Sequence, residues 1–580
     1  VGGNSAPAGN GGGLYALQGT YVTNCIFYGN TALLNDNMAG GIAGCAYTFS
    51  QPLWSGTGNL TGDPRFMDPA SRDYRLRPGS PCIDAGIVQA WMAAAVDVAH
   101  NPRIWPGGGT NDMGAYEYNP GPLACNFTAN PASGLEPFAA VFTGYADGTN
   151  TIGANYQWDF DGDDVVDLQG VGLRIVTNSY PAGAYSVKLT VATAGETAVC
   201  TRPNYIVSAP ANLYVATGGG NVAPYANWVN ASTSIQAAVD SGADGSTVWV
   251  ADGTYMTTSV VAVAKGLTVR SASGASSTTV RRNGAFSHRV FSLTDSNAVL
   301  DGLTIMSGAG GVYLHQGGRV QNCVIRNNSV GDVGGGIHLY QGGVVRNCLI
   351  EGNSTSGDNR GGGVNLNGGG VVYDCVIRSN STPASIGGGA ALYGGVVSNC
   401  VLTGNTAQRG GGAFLDGGGC LIRGCLLYRN HATDGSGYGG GGICTWNSGW
   451  ILSCTVASNT AASGGGGGYF LQGTYVTNTI VYFNTPANVA GNATYAYCCV
   501  TPGVAGVSNI VADPRFVNLV RDKYKLDEDS PCRDVGLYMS WMANARDLAG
   551  NVRVFPAYGT AVDIGAYECV PNHGTVFVAH

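Results

Sequence analysis

Charge is scarce in this sequence. Lys and Arg total 28 and Asp and Glu total 36, so 11% of the 580 residues are charged, against about 25% in an ordinary soluble domain. The formal net charge is −8 and the pI about 5.3. No basic field of the kind nucleic-acid binding requires is present, which excludes nucleic acid as a partner. Long apolar runs are also missing: none approaches the roughly 20 residues of a membrane-spanning helix, so this segment holds no membrane span. The first residue is Val1, and no charged-then-apolar leader precedes it. The chain opens inside a repeat and reads as a mature fragment or a window of a longer chain. With 44% hydrophobic residues and so little charge, disorder is excluded. What fills the space is glycine, 93 residues in all, roughly twice average usage. These glycines do not recur every third residue, so the chain is not collagen-like. The length suits three or four domains.

Most of the glycine belongs to a repeat. From about Gly310 to Asn484 a Gly-Gly-Gly run is followed by a short apolar strand, further glycine, and a second strand ending in a motif like Asn-Cys-Val-Ile. The cysteines are Cys323, Cys348, Cys375, Cys400, Cys425 and Cys454, and Thr479 takes the next slot, at spacings of 25, 27, 25, 25, 29 and 25. Five residues after each comes an asparagine: Asn328, Asn353, Asn380, Asn405, Asn430, Asn459 and Asn484. Cys25 and Asn30 repeat the pattern near the start. Short strands, tight glycine turns and this period predict stacked coils, each advancing by one strand spacing of about 4.8 Å. Buried asparagines would then bond to those above and below, and the glycine runs would serve turns of positive φ. The cysteines lack zinc-ligand spacing and read as a reduced, packed ladder of small apolar side chains.

The segment Ser234-Ile235-Gln236-Ala237-Ala238-Val239, followed by Thr247-Val248-Trp249-Val250-Ala251-Asp252-Gly253-Thr254-Tyr255, resembles the opening of right-handed parallel β-helices of the pectin-lyase-like superfamily. The resemblance implies a short helix capping the open core, with the first strand after it. It covers 213–571 and, in shortened form, 1–121.

A second repeat exists at domain scale. Asp63-Pro64-Arg65-Phe66 matches Asp513-Pro514-Arg515-Phe516, Ser80-Pro81-Cys82 matches Ser530-Pro531-Cys532, Trp91-Met92 matches Trp541-Met542, and Asp112 to Glu117 matches Asp563 to Glu568. This ending is similar to the closing "choice-of-anchor Q" module of secreted bacterial β-helix proteins. Asp84, Asp97, Arg103, Asp112 and Glu117 read as a C-terminal cap in which carboxylates pair with Arg and backbone N–H groups. Val576-Phe577-Val578-Ala579 echoes Leu213-Tyr214-Val215-Ala216, so a further β-helix is expected to begin at 572–580.

Residues 122–209 lack glycine triplets. Tyr156-Gln157-Trp158-Asp159-Phe160-Asp161-Gly162-Asp163 and Tyr180-Pro181-Ala182-Gly183-Ala184-Tyr185 resemble a polycystic kidney disease (PKD) domain, which implies an immunoglobulin-like β-sandwich. Within it Asp159, Asp161, Asp163 and Asp167 alternate as calcium ligands do. Asp164 stands where a calcium loop carries glycine, so a structural Ca²⁺ and a solvated acidic turn both stay open; no other cofactor is required. A Cys125–Cys200 disulfide is expected, with Cys82 pairing to Cys45 and Cys532 to Cys498 or Cys499, in keeping with secretion.

The expected fold is all-β: right-handed parallel β-helix domains joined by an immunoglobulin-like β-sandwich. Residues 1–121 form the C-terminal coils and cap of one β-helix, 122–209 the sandwich, 210–571 a complete β-helix with its cap, and 572–580 the opening strand of the next. Alternation along the strand after each glycine run places Tyr313/His315, His338/Tyr340, Asn365/Asn367, Ala391/Tyr393, Phe414/Asp416, Cys444/Trp446 and Phe470/Gln472 outward. Tyr340, Asn367, Tyr393, Asp416 and Trp446 make a stripe suited to stacking on sugar rings. A glycosidase needs two carboxylates within roughly 5–10 Å, and this face offers Asp416 alone. The leading expectation is a non-catalytic structural protein of a secreted or bacterial cell-surface filament, its partners copies of itself head to tail. A polysaccharide-binding adhesin and a polysaccharide lyase or glycoside hydrolase are the alternatives.

Overall fold

The computed structural model describes residues 1–70, 72–98, 102–104, 110–118, 122–147, 154–284, 287–357, 360–471, 473–554 and 561–569. The expected opening strand at 572–580, and Gln472, lie outside these residues. The chain forms two compact units, one of Val1–Ser133, Phe138–Tyr180 and Ala184–Val207, the other of Gly134–Pro137, Pro181–Gly183 and the chain from Ser208 onward. Among the described residues no helix is long and apolar enough to cross a membrane.

The second unit is a solenoid of short parallel strands. Its strands stack into sheets of 13, 11 and 10 strands, with a 6-stranded sheet along one corner. Strands neighbouring in each sheet come from successive coils, and the register sets like upon like: Val312, Ile337, Val364, Ala390, Ala413 and Ile443 form one row. These residues, and Leu314, Leu339, Leu366, Leu392 and Leu415 beside them, are fully buried in one continuous core. The helix Ile235–Ser241 turns Ile235, Ala238 and Val239 into that core. Ser234 caps it by accepting from the Ala237 amide at 3.3 Å. The preceding strand, Asn212–Val215, pairs in parallel with Thr247–Val250.

The corners explain the Asn-Cys motif. Asn322, Asn347, Asp374, Asn399 and Asn478, each just before a ladder residue, have φ between 49° and 55°. Asn and Asp tolerate this left-handed conformation better than other residues with a side chain. The asparagine ladder forms as expected. The Asn405 side chain accepts at Oδ1 from the Asn380 amide at 2.9 Å and from Asn380 Nδ2 at 3.0 Å. Its own Nδ2 donates to the Ile377 carbonyl and to Asn430 Oδ1, both at 2.9 Å. The same pattern runs from Asn328 through Asn353, Asn380, Asn405, Asn430 and Asn459 to Asn484. It continues to Asn488, which Asn484 Nδ2 reaches at 3.0 Å. The first unit shows a short version, Asn4 to Asn30 to Asn37.

The cysteine ladder consists of free thiols. Cys400 Sγ donates to the Ser398 carbonyl at 3.1 Å, and the Cys400 amide donates to Cys425 Sγ at 3.4 Å. Cys498, expected outside the ladder, continues it beyond Thr479 and donates to the Val476 and Ala496 carbonyls. The expected disulfides are not formed: every described cysteine is free. The Cys125 and Cys200 thiols are hydrogen-bonded neighbours, as are Cys499 and Cys532. Cys82 and Cys45 belong to different apolar clusters, and both are free thiols. Phe49 occupies the strand position in the first unit that Cys499 holds in the second.

Two glycine expectations also change. Positive φ runs through the second glycine run of a coil, as at Gly368, Gly369 and Gly370 (75°, 125° and 105°), but in the run before the strand it falls on the first residue, as at Gly410, at 64°. Gly412 is needed for space instead: a Cβ there would stand 2.5 Å from the Gly442 carbonyl oxygen and 3.0 Å from Asn430 Nδ2. The strand after the last run starts one residue early. Gly468 pairs with Ile443 and Tyr469 with Cys444, so Tyr469 points outward, while Phe470, expected outward, is fully buried in the core. Gly468 makes room for it, since a Cβ would lie 2.0 Å from the Phe470 ring.

In the first unit, parallel coil pairs such as Leu14–Thr23 with Met38–Ala46 lead into an antiparallel hairpin, Phe66–Asp68 with Asp73–Leu76. Beyond it lie two antiparallel sheets. Phe138–Asp147 pairs with Ala124–Asn130 and Ile175–Tyr180 in one, and Asn155–Asp159 pairs with Leu168–Val171 and Gly183–Ala192 in the other. Phe127, Phe142, Trp158, Val187, Leu189 and Ile206, from both, form one fully buried cluster. The Trp158 indole N–H donates to the Leu173 carbonyl at 2.9 Å.

Candidate functional site

The outward face of the 10-stranded sheet carries two rows. In the second, His315, Tyr340, Asn367 and Tyr393 stand in register. Asp416 and Trp446 extend the row, their amides bonded to the Leu392 and Leu415 carbonyls. The structure therefore brings the whole predicted stripe together. Its rings are engaged within the protein: His315 stacks on Tyr340 at 5.5 Å and 12°, Arg360 covers Tyr393 at 4.4 Å, and Arg409 lies 5.2 Å from Trp446. Asp434 holds Arg409 in an ion pair at 2.5 Å. Asp416 accepts from Asn447 Nδ2, and Trp446 remains 37% exposed.

The first row differs from expectation. Asn365, Ala391, Phe414 and Cys444 point away from the core yet are buried. The glycine runs pack straight onto them, so a Cβ on Gly361 or Gly387 would touch Asn365 or Ala391 within 2.9 Å. His338 Nε2 and Asn365 Oδ1 have no partner there. Burial, reinforced by the Arg289 guanidinium, pushes His338 down to about 4, so its imidazole is neutral and weakly basic at pH 7.

The residues considered as a polar cluster at 84–117 form a cap, built twice to one plan. Arg103 donates to the Gly114 carbonyl at 2.8 Å and to Glu117 at 3.0 Å; Arg553 donates to Gly565 at 3.1 Å and to Glu568 at 2.9 Å. The Glu117 and Glu568 amides donate to Asp97 and Asp547 at 2.8 and 2.9 Å. The Asp84 and Asp534 amides donate to Asp112 and Asp563 at 2.7 and 2.8 Å. Arg553 is fully enclosed, whereas the Arg103 side chain is 13% exposed.

Burial pushes the cap carboxyls up, against the pull of Arg553 and of backbone donors: Glu568 to about 8 and Asp563 to about 6, and Glu117 to about 7. Each lies above its unfolded value of about 4, so the folded caps bind protons more tightly than the unfolded chain. Their contribution to stability is complete below about pH 4 and is lost as pH rises through the folded values. The thermal unfolding midpoint should therefore fall between pH 5 and 8.5, a tenfold difference in proton affinity corresponding to about 1.4 kcal/mol. A midpoint that climbs steadily across that range contradicts this reading.

In the acidic loop, the carboxylates of Asp159, Asp161 and Asp167 lie within 4.8 Å of one another. Asp163 stands outside the group and accepts from the Val165 amide at 2.8 Å. Asp159 accepts from the Gly162 and Asp164 amides at 2.7 and 3.0 Å, and Asp167 from the Phe160 amide at 2.6 Å. Asp164 adopts the left-handed φ of 68° despite its side chain. Asp159, Asp161 and Asp167 are the residues that would hold a cation.

With this geometry in place, comparison with known proteins covers part of the chain. A family model described as right-handed β-helix region matches residues 232–370. Those residues are a right-handed β-helix. No curated protein matches the chain. Among solved structures, ORF18 of Geobacillus virus E2 is 13% identical, with 45% of this chain and 57% of that chain covered, at a TM-score of 0.26. The chain thus spans 57% of the viral protein's length. The pectin methylesterase of Aspergillus niger is 13% identical over 52% of this chain and 85% of that one, with a TM-score of 0.25. The alginate lyase of Paenibacillus sp. str. FPU-7 is 15% identical over 38% and 94%, with a TM-score of 0.21. Likeness at this level adds nothing about activity.

Proposed function

We propose that the protein is a non-catalytic extracellular structural module, a tandem β-helix repeat unit of a bacterial surface fibre assembled head to tail. The observation that carries this reading is the duplicated cap: two closing modules in one chain with matching hydrogen bonds around Arg103 and Arg553. In this reading 122–209 is a PKD-like, immunoglobulin-type β-sandwich spacing successive β-helices, and the caps are modules of the choice-of-anchor Q kind. The shared cluster around Trp158 supports the sandwich. The outward face supports the absence of catalysis. Its second row carries one carboxylate, Asp416, and His338 is held far below the neutral range in which a general base works best.

The test is an assay for release of reducing or unsaturated sugar ends from neutral and acidic polysaccharides. No turnover is expected. Turnover that disappears in His338→Ala would overturn the proposal in favour of a lyase or hydrolase. The exposed Trp446 favours a second reading, a polysaccharide-binding adhesin. That reading expects glycan retention to be lost in Tyr393→Ala and Trp446→Ala, and retention unchanged in both would end it.

A further inference from the structure

Two thiols in the first unit meet where its two antiparallel sheets close on each other. Cys125 sits on the strand Ala124–Asn130 of the three-stranded sheet, and Cys200 on the strand Thr197–Ala209 of the five-stranded one. Both are free, and they are hydrogen-bonded to each other. Both also touch the backbone of Leu189, on the strand Gly183–Ala192 of the five-stranded sheet. Cys125 Sγ donates to the Leu189 carbonyl at 3.5 Å, and Cys200 bonds to the same residue. The two sulfurs are thus brought together across the seam between the sheets.

Exposure sets this pair apart. Cys25, Cys125, Cys200 and Cys569 are partly exposed, and the other cysteines are buried. Cys499 and Cys532 are also hydrogen-bonded neighbours, but neither has exposed area. The ladder thiols are enclosed in the core. Thiol–disulfide exchange needs a thiolate that a dissolved disulfide can reach. Cys125 and Cys200 combine a neighbouring thiol with that access. The Cys200 S–H donates to Cys125 and so favours its thiolate, holding the Cys125 thiol below the ordinary range against the opposing effect of burial.

Position decides what a bond here does. Cys125 lies in the first strand of the two sheets and Cys200 in the last, with the 74 residues 126–199 between them. A cross-link closing so long a loop restricts the unfolded chain strongly. It also makes a shortcut: tension on the two ends of the segment then passes through the sulfurs and not through the sheets. We propose that Cys125 and Cys200 form an oxidisable dithiol whose disulfide clamps the first and last strands together. The oxidant is a small disulfide of the glutathione class. The Cys125 thiolate attacks one of its sulfurs and expels a first glutathione thiolate. The Cys200 thiolate then attacks the mixed disulfide at Cys125 and expels the second. Two electrons pass to the oxidant, and the two thiol protons end on the expelled thiolates, giving two reduced glutathiones. The clamp is independent of the fibre reading above; only its use in bearing tension rests on that reading.

The experiment equilibrates the full, folded chain with glutathione disulfide, blocks the remaining thiols in denaturant, and maps the links by mass spectrometry of unreduced peptides. A Cys125–Cys200 link is expected, with Cys323, Cys348, Cys375, Cys400, Cys425 and Cys454 left free. Cys200→Ser should stop at a mixed disulfide of glutathione on Cys125. Oxidation should slow amide exchange across 124–209 at least tenfold, and Cys200→Ser should cancel that gain. Pulled by its ends, the reduced chain should show an unfolding step that includes the 74 residues 126–199, about 250 Å of extended chain, and the oxidised chain should lack it. If Cys200→Ser fails to fold, the link map and the pulling of the unaltered chain carry the test. Cys125 and Cys200 recovered free, either of them linked to another cysteine instead, or a link that leaves both amide exchange and the unfolding step unchanged overturns the proposal.

Discussion

Replacing Asn405 with alanine is expected to destabilise the β-helix by about 2–4 kcal/mol, one buried donor left unpaired costing about 1–3 kcal/mol and each further hydrogen bond lost about 0.5–1.5 kcal/mol. Asn405 makes four side-chain bonds in the middle of the ladder. Its loss leaves the buried Asn380 amide without an acceptor and takes one of two partners from Asn380 Nδ2, which keeps the Ile350 carbonyl. The Asn430 Oδ1 keeps the Asn405 amide as a donor at 3.0 Å and suffers less. Asn405→Asp should be worse than alanine, because an ionised side chain cannot donate to Ile377 or Asn430 and adds a buried charge. The control is Asn367→Ala one coil earlier, exposed on the outer face, where a change within about 0.5 kcal/mol is expected. A stacked solenoid loses stability locally as well as globally, so the effect should be read both in urea midpoints and in amide exchange of the flanking coils. Equal behaviour of the two variants would remove the ladder from the account of stability.

Replacing Arg553 with methionine should cost about 3–5 kcal/mol in the second cap, since it removes a buried guanidinium's hydrogen bonds to three enclosed acceptors, a buried polar group left unpaired costing about 1–3 kcal/mol. Arg553 is fully enclosed and Glu568 is 3% exposed. The variant leaves Glu568 and the Gly565 and Ala566 carbonyls without their donor. Adding Glu568→Leu should recover part of the loss, since no lone carboxyl then remains in the core. The first cap supplies an internal scale. The Arg103 side chain is 13% exposed, so water reaches it, and Arg103→Met should cost less than Arg553→Met. Amide exchange across 82–118 and 532–569 separates the two caps in one experiment. A larger loss in the first cap, or none in either, would contradict the buried-pair explanation.

The β-helix is legible in the sequence because each coil spends one residue on each structural duty. One asparagine and one cysteine per coil, five apart, mark the ladders from Asn328 to Asn484 directly. Where the coils shorten, that signal fails. Cys498 follows Thr479 by 19 residues and Asn488 follows Asn484 by four, so both escape a period near 25 although they make ladder bonds. Alternation misplaces Phe470 because the last glycine run hides its own end: Gly468 is already the first inward strand residue. For Asn365 and Phe414 alternation has the direction right but cannot show what lies over them.

Electron microscopy of the native, undigested material tests the central claim most directly. The 13-stranded sheet, at about 4.8 Å per strand, makes a β-helix body roughly 60 Å long. The account predicts long unbranched fibres in which such bodies recur at regular intervals, separated by a smaller junction. Discrete particles, each holding a single β-helix body at every concentration, would contradict it.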